Sequence, residues 1–314
     1  MMTKPDSNKK RNLLLLIAAI LLFVGNWREI KALPYTFASP SSKLTQSIEK
    51  LNSYKTVYME YEMEGTTRLT SRQEGITKKI DFLVKGYISG QSDGETASNT
   101  IEISSPLNPS GSIIVNILTT EKYTYLKGPA TGGKWIRMTN DKFQESDEAS
   151  TTDGSMYPFV MLSSIISEDN ALLSSIDKNS VKLVRSDGVF KVYSVDISVP
   201  EYITALKLDK ENSGKDISDA REILKDAIVT AEIYVNKDTH DVASIDLVTK
   251  HLAQIQTDET KVYGIDSVHD AVTHIEFSRL GLPLDIKEPT DFVEDAKDTD
   301  EVLGASIKKI LKTN

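Results

Sequence analysis

The sequence predicts an α+β chain: one long antiparallel sheet, a few helices inserted late, and an apolar membrane-directing helix in front. Three observations carry this. Apolar and polar residues alternate with period two in run after run between Val57 and Ser278, helical periodicity is confined to short stretches, and Lys9, Lys10 and Arg11 precede an unbroken apolar run from Leu13 to Val24.

Composition narrows the function classes. The chain has 314 residues, with 37 Lys and Arg against 46 Asp and Glu, and no cysteine. Without cysteine there is no disulfide scaffold, thiolate metal site, cysteine nucleophile or lipid-modified cysteine. An apolar content of 39% supports a packed core rather than wholesale disorder, and the acidic balance argues against a nucleic-acid partner.

At the N-terminus the basic residues form a cytoplasmic segment over 1–11, followed by a signal anchor or signal peptide over 12–27 and a linker over 28–42 that contains Pro34 and Pro40. The apolar run closed by Gly25 covers about 20 Å as a helix, against a hydrocarbon core of about 30 Å. Phe23 and Ile30 put bulky side chains where a nearby cleavage site needs small ones, which favours an uncleaved anchor. The expected placement is a single pass in the cell membrane with the N-terminus inside and the body outside; the alternative is secretion after cleavage. Residues 1–31 hold six Lys/Arg and two Asp/Glu, leaving a body with 31 basic and 44 acidic side chains, a net of −13. Such a body is repelled by anionic lipid, so attachment falls to the N-terminal helix.

The body spans 43–292. Leu44, Ile48 and Leu51 share one stripe of a short helix over 43–52. From Val57 the period changes to two: Val57, Met59, Tyr61 and Met63 face one way and Tyr58, Glu60, Glu62 and Glu64 the other, the pattern of a half-buried antiparallel strand. The alternation returns at Ile80, Phe82 and Val84, at Ile113, Val115 and Ile117, and at Tyr193, Val195 and Ile197. Asp187-Gly188 separates strand-like runs 181–185 and 189–199, a strong hairpin signal, and a second hairpin joins 231–235 to 242–248. The last clear strand covers 272–278. Two helical stretches interrupt the sheet: one opened by Pro158 with Phe159, Leu162, Ile165 and Ile166 on its apolar stripe, the other begun by Asp219 and Glu222 with Ile223, Leu224, Ala227 and Ile228 on its buried side. Residues 293–314 form an acidic tail ending in a short amphipathic basic helix around Leu303, Ile307, Ile310 and Leu311.

Catalytic and metal-binding patterns are scarce. His240, His251, His269 and His274 lack the helical pair spacing of a metalloprotease, and His269 and His274, five apart in a strand, face opposite sides. There is no Gly-rich phosphate loop and no nucleophile elbow. Asp209, Glu211, Ser213 and Gly214 match the opening of a calcium loop, but Ala220 stands where a bidentate glutamate is needed. No catalytic residue, metal or cofactor is expected, and the chain is read as a non-enzyme.

The order of elements resembles the LolA/LolB-like carriers and the LppX/LprG-like envelope lipoproteins; the run Ile275-Glu276-Phe277-Ser278-Arg279-Leu280-Gly281-Leu282-Pro283-Leu284-Asp285-Ile286 followed by Pro289 is similar to the closing segment of the latter, and the hairpin from Ala231 to Asp241 to its paired strands. The resemblance implies a curved, half-open antiparallel barrel with a helical lid and an apolar concave side that carries lipid acyl chains. On that view Val57, Met59, Tyr61 and Met63 line the cavity and Phe159, Leu162, Ile165 and Ile166 form the lid. The chain departs from those lipoproteins in having no lipobox cysteine. The expected function is a membrane-anchored extracytoplasmic protein that binds or carries a lipid or other hydrophobic ligand. An anchored interaction or sensor domain with a filled core is the alternative, and an extracytoplasmic hydrolase the third; protein partners stay open.

Overall fold

The computed structural model describes residues 38–72, 74–91, 96–104, 112–140, 171–205, 224–253 and 265–294. Helix α1 (Pro40–Asn52) leads into six strands: β1 (Thr56–Ser71), β2 (Thr77–Gln91), β3 (Ala97–Ser104), β4 (Ile113–Thr119), β5 (Tyr123–Lys127) and β6 (Trp135–Thr139). After the short helix α2 (Ala171–Ser174) come β7 (Lys182–Asp187), β8 (Phe190–Asp196), helix α3 (Val199–Ala205), β9 (Ile228–Asn236), β10 (Val242–Ala253), β11 (Ile265–Ser278) and β12 (Phe292–Glu294). All twelve strands form one sheet in the order β12-β6-β5-β4-β3-β2-β1-β11-β10-β9-β8-β7. Two antiparallel meanders, β1–β6 and β7–β11, thus lie side by side, and the long β1–β11 ladder from Tyr58 opposite Ser278 to Ser71 opposite Ile265 joins them. The sheet does not close: β7 and β12 are its edges, and among the described residues helices are few.

Local chemistry explains the elements. Ser39 caps α1 by accepting from the Ser42 amide and Pro40 occupies the first turn, so the helix starts inside the stretch expected as linker, ahead of the apolar stripe. Leu44 and Leu51 are buried on the sheet and Ile48 is partly buried, each full burial contributing about 1.5–3 kcal/mol. The far end of α1 is tied to the β9–β10 turn: the Lys50 ammonium lies 2.7 Å from Asp241 Oδ1 and donates to the Thr239 carbonyl, and the Tyr54 hydroxyl donates to Asp241 at 2.7 Å.

Four expectations are corrected. The run expected over 189–199 stops at Asp196, and Val199 with Pro200 opens α3 instead. Residues 224–227 make a turn, with the Ala227 amide donating to the Leu224 carbonyl, and Ile228 begins β9 as an exposed residue, because the period-two burial of Val229, Ala231, Ile233 and Val235 puts it on the outward phase. Strand β11 starts at Ile265 rather than 272; its polar first half hides the strand from an apolar-periodicity reading, yet its ladder to β1 is continuous. One more strand follows it, as β12 pairs in parallel with β6 across the boundary drawn between body and tail.

The segment after β11 also explains why β5 is buried on both faces. The turn at 279–282 docks on the start of β1, with the Gly281 amide donating to the Thr56 carbonyl and the Thr56 hydroxyl to the Leu282 carbonyl at 2.6 Å. Gly281 has φ +71°, a conformation that favours glycine, and a Cβ there would also press on Tyr54. The chain then covers the outer side of β5 and β6. Tyr125, fully buried, donates to Glu288 at 2.6 Å and meets the Phe292 ring edge-on, and the Arg137 guanidinium lies over Phe292 and pairs with Glu294.

The segment 12–27, the stripe Phe159, Leu162, Ile165 and Ile166, the start of the second inserted helix at Asp219 and Glu222, the loop around Asp209 and the tail helix near 303–311 lie outside the described residues. Among the described residues, no helix is long and apolar enough to cross a membrane.

Candidate functional site

The face of the sheet that meets α1 is the candidate site. Along β1 the inward residues Val57, Met59, Tyr61 and Met63 are 6%, 0%, 3% and 3% exposed, while Glu60, Glu62 and Glu64 point out to solvent. The register extends this face sideways. Met59 stands opposite Ile88 on β2 and Phe277 on β11, Tyr61 opposite Gly86 and Ile275, and Met63 opposite Val84 and Thr273. Beyond β11 the rows continue through Ile245 and Leu247 on β10, Ile233 and Ala231 on β9, and Tyr193 and Val195 on β8. With Leu44 and Leu51 of α1, Leu172 and Leu173 of α2 and Tyr202 of α3, these residues form one continuous apolar cluster that reaches Ile101 on β3.

Two glycines shape the floor. A Cβ on Gly86 would lie 2.5 Å from the Tyr61 hydroxyl and 2.6 Å from its Cζ, and one on Gly65 would lie 2.7 Å from Phe82 Cζ. In each case an aromatic ring on one strand lies over a glycine directly opposite on the other, so Tyr61 and Phe82 lean across the β1–β2 pair instead of standing upright. The sequence signal was an isolated glycine within a strand-like run, which marks close backbone approach without saying what approaches.

Polar groups on this face are few. Tyr61 Oη is buried with no hydrogen-bond partner, as is Asn99 Oδ1 on β3. Burial drives the Tyr61 pKa far up, so its hydroxyl stays a donor at physiological pH. Toward the far end of β11, His269 Nδ1 lies 2.9 Å from the Thr67 hydroxyl and burial pushes its pKa down, favouring the neutral ring. His274, five residues on, is on the outer face, where a 2.5 Å hydrogen bond to Asp246 and a longer one to Glu276 raise its pKa. The expected opposite placement of the two histidines is therefore observed.

The outer face is charged. Lys85 pairs with Glu62 at 2.8 Å, Arg72 with Asp266 at 2.6 Å and Arg68 with Asp270 at 2.8 Å, while Glu60 stands directly opposite Glu276. Among the described residues no three His, Asp or Glu side chains are grouped so as to hold a metal ion. The apolar face thus offers mainly shape and dispersion contacts, with a few uncharged hydroxyl, amide and imidazole groups set into it.

No protein-family model and no curated relative matches the chain. Among solved structures it is similar to LprF from Mycobacterium bovis, at 13% identity and a TM-score of 0.38, over 80% of this chain and 96% of that one. It is also similar to a LolA superfamily protein from Nitrosomonas europaea, at 10% identity and a TM-score of 0.22, over 80% and 96%. These are the two kinds of protein that the order of elements resembles.

Proposed function

We propose that this chain is a membrane-anchored extracytoplasmic protein that binds or carries a lipid or another hydrophobic ligand between its sheet and the elements covering it. One observation carries the reading: a twelve-stranded sheet that does not close, apolar on one side from β8 to β3 and charged on the other, with three short helices packed on the apolar side. A long acyl chain is matched by such a face, because flexible Met59 and Met63 adapt to flexible hydrocarbon and each buried methylene contributes about 0.8 kcal/mol. Phe159, Leu162, Ile165 and Ile166 belong to the connection from β6 to β7, strands near opposite ends of the sheet, which suits a covering role. Anchoring is assigned to residues 12–27, with Val57, Met59, Tyr61 and Met63 as the floor of the ligand site.

A second reading has its own support. The four floor residues are only 0–6% exposed, which is also what a filled core gives, and an interaction or sensor domain would use the charged outer face instead. Extraction of the purified full chain with organic solvent, followed by mass spectrometry of the extract, separates the two. The ligand reading expects a lipid recovered near one mole per mole of chain; a chain that yields none and takes up none of the added lipids supports the filled core.

A further inference from the structure

The apolar floor contains a polar defect. Tyr61 is 3% exposed, and its hydroxyl is enclosed without a partner. An orphaned buried hydroxyl loses its hydration without compensation, a cost that phenylalanine, identical in shape but for one atom, would avoid. The ring is held in place by Gly86, whose missing Cβ leaves the hydroxyl lying over β2 on the side away from β11. Strand β3 is next across, and Asn99 enters the same face there: it stands opposite Ile88, one row along from Ile101 opposite Gly86. Asn99 Oδ1 is enclosed and unpartnered as well. Two uncharged polar groups, the Tyr61 hydroxyl and the acceptor Oδ1 of Asn99, therefore enter neighbouring rows of a largely apolar surface.

The floor residues beside them, Val57, Met59, Met63, Ile88 and Ile101, carry no charge, and His269 further along is held neutral. A bare carboxylate or phosphate brought here would be desolvated without a counter-charge. An ester carbonyl or an alcohol is not penalised in this way and can accept from Tyr61.

We infer that the Tyr61 hydroxyl is a polar docking point that donates to the uncharged ester or alcohol oxygen of an acyl-chain ligand, fixing how far along the sheet the chain lies, with Asn99 Oδ1 placed to accept from an alcohol. The inference rests on the ligand-binding reading and specifies its ligand class.

The test uses the full chain kept in solution by an amphipol, with displacement of an apolar fluorescent dye by decyl acetate and by tridecane, an ester and a hydrocarbon of similar length. Tyr61→Phe keeps the ring over Gly86 and removes only the hydroxyl. It is expected to weaken decyl acetate by about tenfold while tridecane changes less than twofold, the size of one lost hydrogen bond. Asn99→Val removes an acceptor that an ester cannot use and is expected to leave the ester-to-hydrocarbon ratio within twofold of the wild-type chain, so a tenfold shift there would contradict Tyr61 as the donor. If Tyr61→Phe leaves the ester-to-hydrocarbon ratio unchanged, or weakens both probes alike, the docking point is overturned while the binding reading stands. If the wild-type chain binds neither probe nor dye, the binding reading falls and takes the docking point with it.

Discussion

At the scale of single residues, the β1–β2 pair is a fitted surface in which a glycine and an aromatic ring replace two ordinary side chains. Gly86→Ala puts a methyl 2.5 Å from the Tyr61 hydroxyl and 2.4 Å from the Thr100 carbonyl oxygen, which is backbone and cannot swing aside. A loss of about 1–3 kcal/mol is expected, read from urea unfolding midpoints, because overpacking forces the ring or the strand to move. Met59→Ala, at a residue with no exposed surface, is expected to cost about 2–5 kcal/mol. The inward and outward assignment of residues 57–64 was legible from period two alone. Asn99 was not, since one polar residue among Ala97, Ser98 and Thr100 gives no sign of which face it takes until the register fixes it. Nor was the leaning of Tyr61, because cross-strand pairing is a long-range fact.

At the scale of elements, β11 carries two histidines with opposite responses to pH. Hydrogen bonding to Asp246 raises the His274 pKa above its unfolded value, so its contribution to stability is fully present below about pH 6.5 and is lost as pH rises through the raised value. Burial lowers the His269 pKa, so the fold is favoured above about pH 6.5 and loses that contribution as pH falls toward the lowered value. Imidazole NMR titration should therefore show His274 titrating above and His269 below the ordinary histidine range, and His274→Gln should destabilise the chain more at pH 5 than at pH 8. Equal stability loss at both pH values would contradict the Asp246 contact as the cause. The β7–β8 hairpin was legible from Asp187-Gly188, although its two-residue turn is Gly188-Val189 with Asp187 paired to Phe190, and an edge was missed where polar side chains on both faces concealed a strand, as in the first half of β11. The strap after β11 was visible as a turn at Gly281, yet its docking under Tyr125 was not, because that contact joins positions far apart in sequence. Phe292→Ala should uncover the Tyr125 ring and lower stability by about 1–3 kcal/mol, with faster amide exchange in β6 as the local readout.

At the scale of the whole molecule, the sequence pattern led to one antiparallel sheet with an apolar side, and the structure adds how it is assembled: two meanders meeting along β1 and β11, left open at β7 and β12. That placement sets Val57, Met59, Tyr61 and Met63 on one of the sheet's two central strands, with β11 on one side and the glycine-lowered β2 on the other. The charge pattern fits the same division, the inward side apolar and the exposed side of β1 and β11 bearing Glu60, Glu62, Glu64 and Glu276. We propose that a hydrocarbon ligand packs against these strands. Solvent extraction of the purified full chain, with the extract weighed against protein and resolved by mass spectrometry, tests it most directly. The account predicts an acyl-chain lipid at close to one per chain, carrying an uncharged ester or alcohol oxygen; a chain that yields no lipid and gains none when incubated with acylglycerols contradicts it.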